Sequence, residues 1–191
     1  MIAPEETHYT TERLKLVDEL KSQGISDDIL YAVAQVPLHL FIRRESNWHF
    51  IHRPLYSALQ VFALRVKPGD VILEKGTGSG YLSALLCVLG AKVYTIEYNP
   101  LLHQRAVKLF GQLNYPIHCF TKDEYGFIDF APYDKIISQL EEKPDILARR
   151  LKIGGFAVYT NGTKLMRIIR FEENSYPEEM LMDMKVWEEE G

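Results

Sequence analysis

This chain predicts an α/β fold with a doubly wound, mostly parallel sheet, and three observations carry that prediction. Short apolar runs alternate with segments of helical spacing between Val71 and Thr160, the pattern of strand–crossover–strand units that build a parallel sheet covered on both faces. The run Val71-Ile72-Leu73 ends in Glu74 and is followed by Gly76, Gly78 and Gly80. That order reads as a strand, a tight turn and the first turn of a helix. After Gly162 the alternation stops, and two strand-like runs flank a polar segment, which predicts an antiparallel hairpin at the sheet edge.

Taken in order, Glu12 to Ser22 places Leu14, Val17 and Leu20 near helical spacing and stops at Gly24, a residue suited to a helix C-terminal cap. Ser26 caps a second helix, with Asp27 and Asp28 in its first turn and Ile29, Leu30, Val33 and Val36 as its buried face; Pro37 ends it. Phe41 to His52 has no clear period and reads as a loop lying over something. From Pro54 a third helix follows, with Leu55, Leu59, Phe62 and Ala63 on one face, before the turn Lys67-Pro68-Gly69-Asp70. Strand Val71–Leu73 then leads to helix Tyr81–Leu89, strand Lys92–Ile96 to helix Leu101–Leu113, and strand Ile117–Phe120 to a loop around Asp123. Strand Lys135–Ser138 precedes helix Pro144–Leu151, and strand Phe156–Thr160 follows the Ile153-Gly154-Gly155 turn. Leu165–Phe171 and Met180–Trp187 form the hairpin, joined by Glu172–Glu179, and Glu188-Glu189-Glu190 is a solvated acidic tail.

The chain has 191 residues, 47% of them hydrophobic, enough for one domain with its own core. With 26 acidic against 22 basic residues the formal charge is -4, which gives no general attraction for a nucleic-acid backbone and disfavours tRNA or DNA as substrate. Cys87 and Cys119 lie in apolar stretches without zinc-site or disulfide-scaffold spacing and read as core thiols. No apolar run reaches the ~18 residues of a membrane span, and the first residues carry neither a basic flank nor an apolar signal core. The expected location is the cytoplasm.

In a doubly wound sheet the ligand lies beyond the carboxyl ends of the strands, so residues following each strand converge on one crevice. The spacing G-x-G-x-G after a carboxylate suits a ligand that offers an ammonium and no phosphate, and S-adenosylmethionine (SAM) is such a ligand. Gly76, Gly78 and Gly80, with Thr77 and Ser79 between them, allow close backbone approach to its methionine portion. Glu74 can attract the ammonium directly or through water. Glu97, ending the second strand, can accept from both ribose hydroxyls, and Asp123, after the third, from the adenine amino group. Each alone has a duller reading: a tight turn, a solvated strand end, an exposed loop acid. Together they supply different parts of one binding site.

At these residues the chain resembles the protein-L-isoaspartate O-methyltransferase family, a branch of the class I SAM-dependent methyltransferases with a Rossmann-like fold. Leu20-Lys21-Ser22-Gln23-Gly24-Ile25 and Val36-Pro37-Leu38-His39-Leu40-Phe41 are similar to that family's N-terminal signature. Lys67-Pro68-Gly69-Asp70 through Tyr81, and Val93-Tyr94-Thr95-Ile96-Glu97, resemble its cofactor motifs. Ala131-Pro132-Tyr133-Asp134 and Leu151-Lys152-Ile153-Gly154-Gly155 resemble the segments around its fourth strand and following helix. The resemblance runs from about Leu14 to Trp187. It divides the domain into an N-terminal helical and substrate-loop region (1–66), a cofactor-binding core (67–162), and an edge hairpin with its tail (163–191).

What the resemblance implies is methyl transfer from SAM to a protein or peptide carboxylate of the isoaspartyl repair type. The family's Gly-x-Gly-Gln-Thr-Ile-Ser-Gln-Pro loop is shortened here, and gapless alignment of the helix from Pro54 places His52 where the family has its serine. His52 or Arg53 is then the candidate to orient the acceptor carboxylate. After the fourth strand, small residues give way to Ser138-Gln139-Leu140-Glu141-Glu142, and two acids facing the pocket would repel a carboxylate. Lys75 replaces an apolar residue of the glycine loop and can be solvated or pair with Glu74 or Glu97. These departures keep two other functions open. One is SAM-dependent transfer to a lysine amine or small molecule, which needs a base such as His52. The other is a non-catalytic SAM-binding module.

Overall fold

The computed structural model describes residues 4–42, 54–121, 131–139 and 143–183. Four helices come first: α1 (Pro4–Ser22), α2 (Asp27–Gln35), α3 (Leu38–Phe41) and α4 (Pro54–Leu64). Alternation follows, as β1 (Val71–Lys75), α5 (Tyr81–Val88), β2 (Lys92–Ile96), α6 (Pro100–Gln112), β3 (His118–Phe120), β4 (Tyr133–Ser138), α7 (Pro144–Arg149) and β5 (Leu151–Asn161). Strands β6 (Lys164–Ile169) and β7 (Glu178–Asp183) close the described chain.

Local chemistry sets the boundaries. Gly24, at φ 77°, ends α1: its N–H donates to Lys21 O, and the Ile25 N–H reaches back to Leu20 O. This is the Schellman arrangement, with Leu20 and Ile25 both buried beside it. Ser26 stands at the N-cap of α2 but makes no side-chain cap bond; the Asp28 carboxylate takes the Ile29 N–H instead. Asn99 caps α6 by accepting from the Leu101 and Leu102 N–H groups, and Pro100 occupies the first helical position.

The seven strands run in the order β3-β2-β1-β4-β5-β6-β7. The first five are parallel, while β6 and β7 pair antiparallel along the β5 edge. Strands are added on one side of β1 up to β3 and on its other side from β4, and this reversal of strand order opens a crevice at the carboxyl ends of β1 and β4. Alternate residues of each strand feed two cores. Ile72, Val93, Ile137, Val158 and Leu165 join the cluster under α1 to α6, whereas Leu73, Ile96, Ile136, Ala157 and Ile168 join the one with Leu147 and Ala148 of α7. At the opposite end of the sheet from the crevice, Lys135 pairs with Asp70 at 2.5 Å and Lys152 with Asp134 at 2.7 Å. The other Asp134 oxygen accepts the Val71 N–H, so the Ala-Pro-Tyr-Asp segment is tied to the start of β1.

Several boundaries differ from expectation. The first helix begins at Pro4, ahead of the periodic apolar residues that mark it from Glu12 onward. Leu38–Phe41 is a helical turn anchored in the core by the fully buried Phe41, while Leu40 stays exposed. The helix expected to end at Leu151 stops at Arg149, and Leu151 opens β5, which passes through Gly154 and Gly155 with a shifted register beside Tyr133–Lys135. The hairpin strands are Lys164–Ile169 and Glu178–Asp183, and the rest of the expected Met180–Trp187 run lies outside the described residues.

Candidate functional site

The turn between β1 and α5 is held almost entirely by backbone. The N–H groups of Gly76 and Thr77 both donate to Ile96 O at the end of β2, and the Gly80 N–H donates to Thr77 O. Positive φ angles of 94°, 53° and 85° at Gly76, Gly78 and Gly80 are conformations that a side chain would strain. At Gly80 a Cβ would also lie 2.8 Å from the Phe110 ring, so glycine is required there by both conformation and space.

Thr77 and Ser79 serve the turn itself. The Thr77 hydroxyl lies 2.6 Å from that of Thr95 and 3.8 Å from the Cys119 sulfur, facing the sheet. The Ser79 hydroxyl accepts the Tyr81 N–H, which closes the start of α5 in place of a conventional cap. Among the described residues no acceptor takes the Ser79 N–H, which leaves one donor of the turn free for a ligand.

Two carboxylates flank this turn, and their environments differ. Glu97 is 8% exposed; its Oε2 accepts the Gly78 N–H at 2.8 Å and its Oε1 the Asn99 N–H at 2.8 Å. A carboxylate has about four acceptor positions, so one remains on each oxygen for a pair of vicinal hydroxyls. Glu74 is fully buried. Burial pushes its carboxyl up to about 8, against hydrogen bonds from Ser83 and Thr95 that favour the anion and a repulsion from Glu97 that opposes it. Ser83 Oγ donates to Glu74 Oε2, while Oε1 has no hydrogen-bond partner among the described residues. An orphaned acid oxygen beneath a glycine turn is the acceptor that an incoming ammonium or N–H donor would satisfy.

The structure thus brings together Glu74, the turn Gly76–Gly80 and Glu97 at the crevice. His52, Arg53 and Asp123 lie outside the described residues, as do Glu141 and Glu142. Lys75 is 2% exposed and pairs across the sheet with Ser138. As the neighbour of Glu74 in a strand it points to the opposite face, so it is not the partner of that acid.

Sequence reading missed four contributors: Ser83, one turn into α5; Thr95, beneath Thr77; and Phe41 and Phe110, which flank Gly80. Two of them had a sequence signal without an assigned role: Phe41, at the end of the N-terminal signature, and Thr95, inside the cofactor-like motif that ends at Glu97.

Comparison with known proteins extends this geometry. Residues 11–185 match the family model described as protein-L-isoaspartate(D-aspartate) O-methyltransferase. A protein-L-isoaspartate O-methyltransferase of Christiangramia forsetii is 36% identical over 185 residues, covering 87% of this chain and 87% of that protein. One from Flavobacterium johnsoniae is 38% identical over 168 residues, covering 78% and 79%. The fold is similar to that of a putative protein-L-isoaspartate O-methyltransferase from Plasmodium falciparum, solved in complex with S-adenosyl-L-homocysteine: TM-score 0.74 over 88% of this chain and 94% of that one, at 21% identity. Among the described residues no helix is long and apolar enough to cross a membrane, and no cluster of side chains could hold a metal ion.

Proposed function

Since the chain belongs to the protein-L-isoaspartate(D-aspartate) O-methyltransferase family, we propose that its acceptor is the free carboxylate of an isoaspartyl residue in a protein or peptide. It is a SAM-dependent methyltransferase with the Rossmann-like fold of that class. The observation that carries the site assignment is Glu97, whose two oxygens are each tied to one backbone N–H at the mouth of the glycine turn and each keep an acceptor position.

In this reading Glu97 receives the ribose hydroxyls and the orphaned Glu74 Oε1 receives the cofactor's ammonium, directly or through water. The turn Gly76–Gly80, including Thr77 and Ser79, lies against the methionine portion. Asp123 takes the adenine amino group. When bound, SAM supplies a methyl group made electrophilic by its sulfonium, so an ionised carboxylate needs no general base. What remains for this chain is to orient that carboxylate and exclude water, and His52 and Arg53, immediately before α4, are assigned that task. The two cysteines are free, as in a reducing compartment, and we place the protein in the cytoplasm.

The test is methyl transfer from labelled SAM to an isoaspartyl peptide, with the same peptide carrying normal aspartate as control. Methylation of the isoaspartyl peptide alone is expected. Tight SAM binding without transfer to it would refute the acceptor assignment, and transfer to lysine-containing protein instead would replace it.

A further inference from the structure

Helix α6 is linked to the glycine turn by three routes, one direct and two through neighbouring residues. At its start, Asn99 both caps the helix and donates its backbone N–H to Glu97, whose other oxygen holds Gly78. Near its end, the Phe110 ring fills the space beside Gly80. Between them, Arg105 Nη2 donates to Phe41 O at 2.8 Å and approaches Leu40 O at 3.5 Å.

Phe41 is fully buried, lies edge-on to Tyr81 with ring centroids 6.0 Å apart, and places Cε1 3.6 Å from the position of a Gly80 Cβ. It ends α3, a helix of four residues. So short a helix has little stability of its own, and its last carbonyls have no intrahelical donor. The guanidinium supplies that donor from α6.

We propose that Arg105 is a positioning residue for the cofactor: by holding the α3 terminus it seats the Phe41 ring beneath Gly80, and so sets the turn that receives SAM. The inference rests on the cofactor reading above and is independent of which acceptor is used. Its chain of contacts runs from Arg105 through the Phe41 carbonyl and ring to Gly80. An Arg105 that merely tied down the surface would contribute to folding and leave the affinity of the turn unchanged.

Calorimetric titration of S-adenosylhomocysteine into the full chain separates these roles without an activity measurement. Arg105→Ala is expected to weaken binding about fivefold to tenfold, the range of a modest coupling free energy. Arg105→Lys, which can still donate to the same carbonyl, is expected to recover affinity to within about twofold of the wild type. Because the route passes through Phe41, adding Arg105→Ala to Phe41→Leu should weaken binding no further than Phe41→Leu alone. If Arg105→Ala does not fold, Arg105→Gln takes its place under the same criteria. Unchanged affinity in the alanine or glutamine variant, or additive losses in the double variant, would overturn the proposal. A wild-type protein that binds no S-adenosylhomocysteine would instead overturn the cofactor reading beneath it.

Discussion

The two sides of the crevice are built on different terms. On the β1–β2 side, the Gly76, Thr77, Gly78 and Gly80 N–H groups each have a named acceptor, and side chains from β2, α5 and α6 lock the turn in place. On the side of α4, polar groups are buried without that closure: Gln60, fully buried in α4, has neither amide atom hydrogen-bonded among the described residues. Donor binding is thus fixed by backbone geometry, which tolerates little change. In the proposed reading, acceptor handling falls to side chains before α4 and after β4, which can vary without rebuilding the sheet.

The sharpest way to break the comparison is to disturb the locked side. Gly80→Val places a branched side chain at φ 85° and against the Phe110 ring. Strain and overpacking together are expected to cost about 4 kcal/mol in urea unfolding; a loss under about 1 kcal/mol would show that the turn is softer than its contacts imply. Glu97→Ala comes next. It removes two charge-assisted acceptor positions from the proposed ribose site and leaves the Gly78 and Asn99 N–H groups without their acceptor. Binding of S-adenosylhomocysteine should weaken by about 30-fold to 100-fold, or 2–3 kcal/mol. Unaltered affinity would remove Glu97 from the cofactor site.

The same asymmetry explains what could be read from the sequence. The glycine spacing and Glu97 were legible because a backbone turn needs glycine at fixed positions, and a strand end puts its acid in a fixed place. Strand Lys92–Ile96 was expected at the boundaries observed, since caps and breakers flank it. Ser83 and Phe110 gave no signal, and Thr95 only its place in the cofactor-like motif, because their roles come from tertiary packing that no local pattern encodes. The Ser26 cap failed for a related reason: the neighbouring Asp28 competes for the same backbone donors. His52 and Arg53 rest on the family resemblance and Asp123 on its place after the third strand, and all three lie outside the described residues.

A smaller effect tests Glu74. With its carboxyl raised to about 8 by burial, the folded protein retains a proton that the unfolded chain gives up in the ordinary carboxylate range. Stability of the ligand-free protein should therefore fall as pH rises towards 8 and level off above it. An incoming ammonium favours the ionised acid, so S-adenosylhomocysteine should release close to one proton on binding at about pH 6.5, and its affinity should rise by up to tenfold for each unit that pH increases towards 8 and level off above it. Titrations in buffers of different ionisation enthalpy read the proton directly. Glu74→Gln should abolish the release; release that persists in that variant would assign it to another group.

The smallest expected change lies on the open side and asks whether it is open at all. Burial raises the Tyr56 phenol well above its usual range, and Gln60, one helical turn on, tempers the rise without completing a hydrogen bond of good geometry. A buried amide with unmet donors and acceptors is a cost that folding carries. Gln60→Met keeps the volume and removes that cost, so the variant should gain about 1 kcal/mol in urea unfolding while S-adenosylhomocysteine affinity stays within about twofold. A loss of stability would mean that ordered water already satisfies the amide, and the α4 side would then be as closed as the glycine turn. A gain in stability with a raised KM for the isoaspartyl peptide would sharpen the comparison instead. The unmet amide would then be a polar group kept for the acceptor, at the expense of a core that methionine fills better.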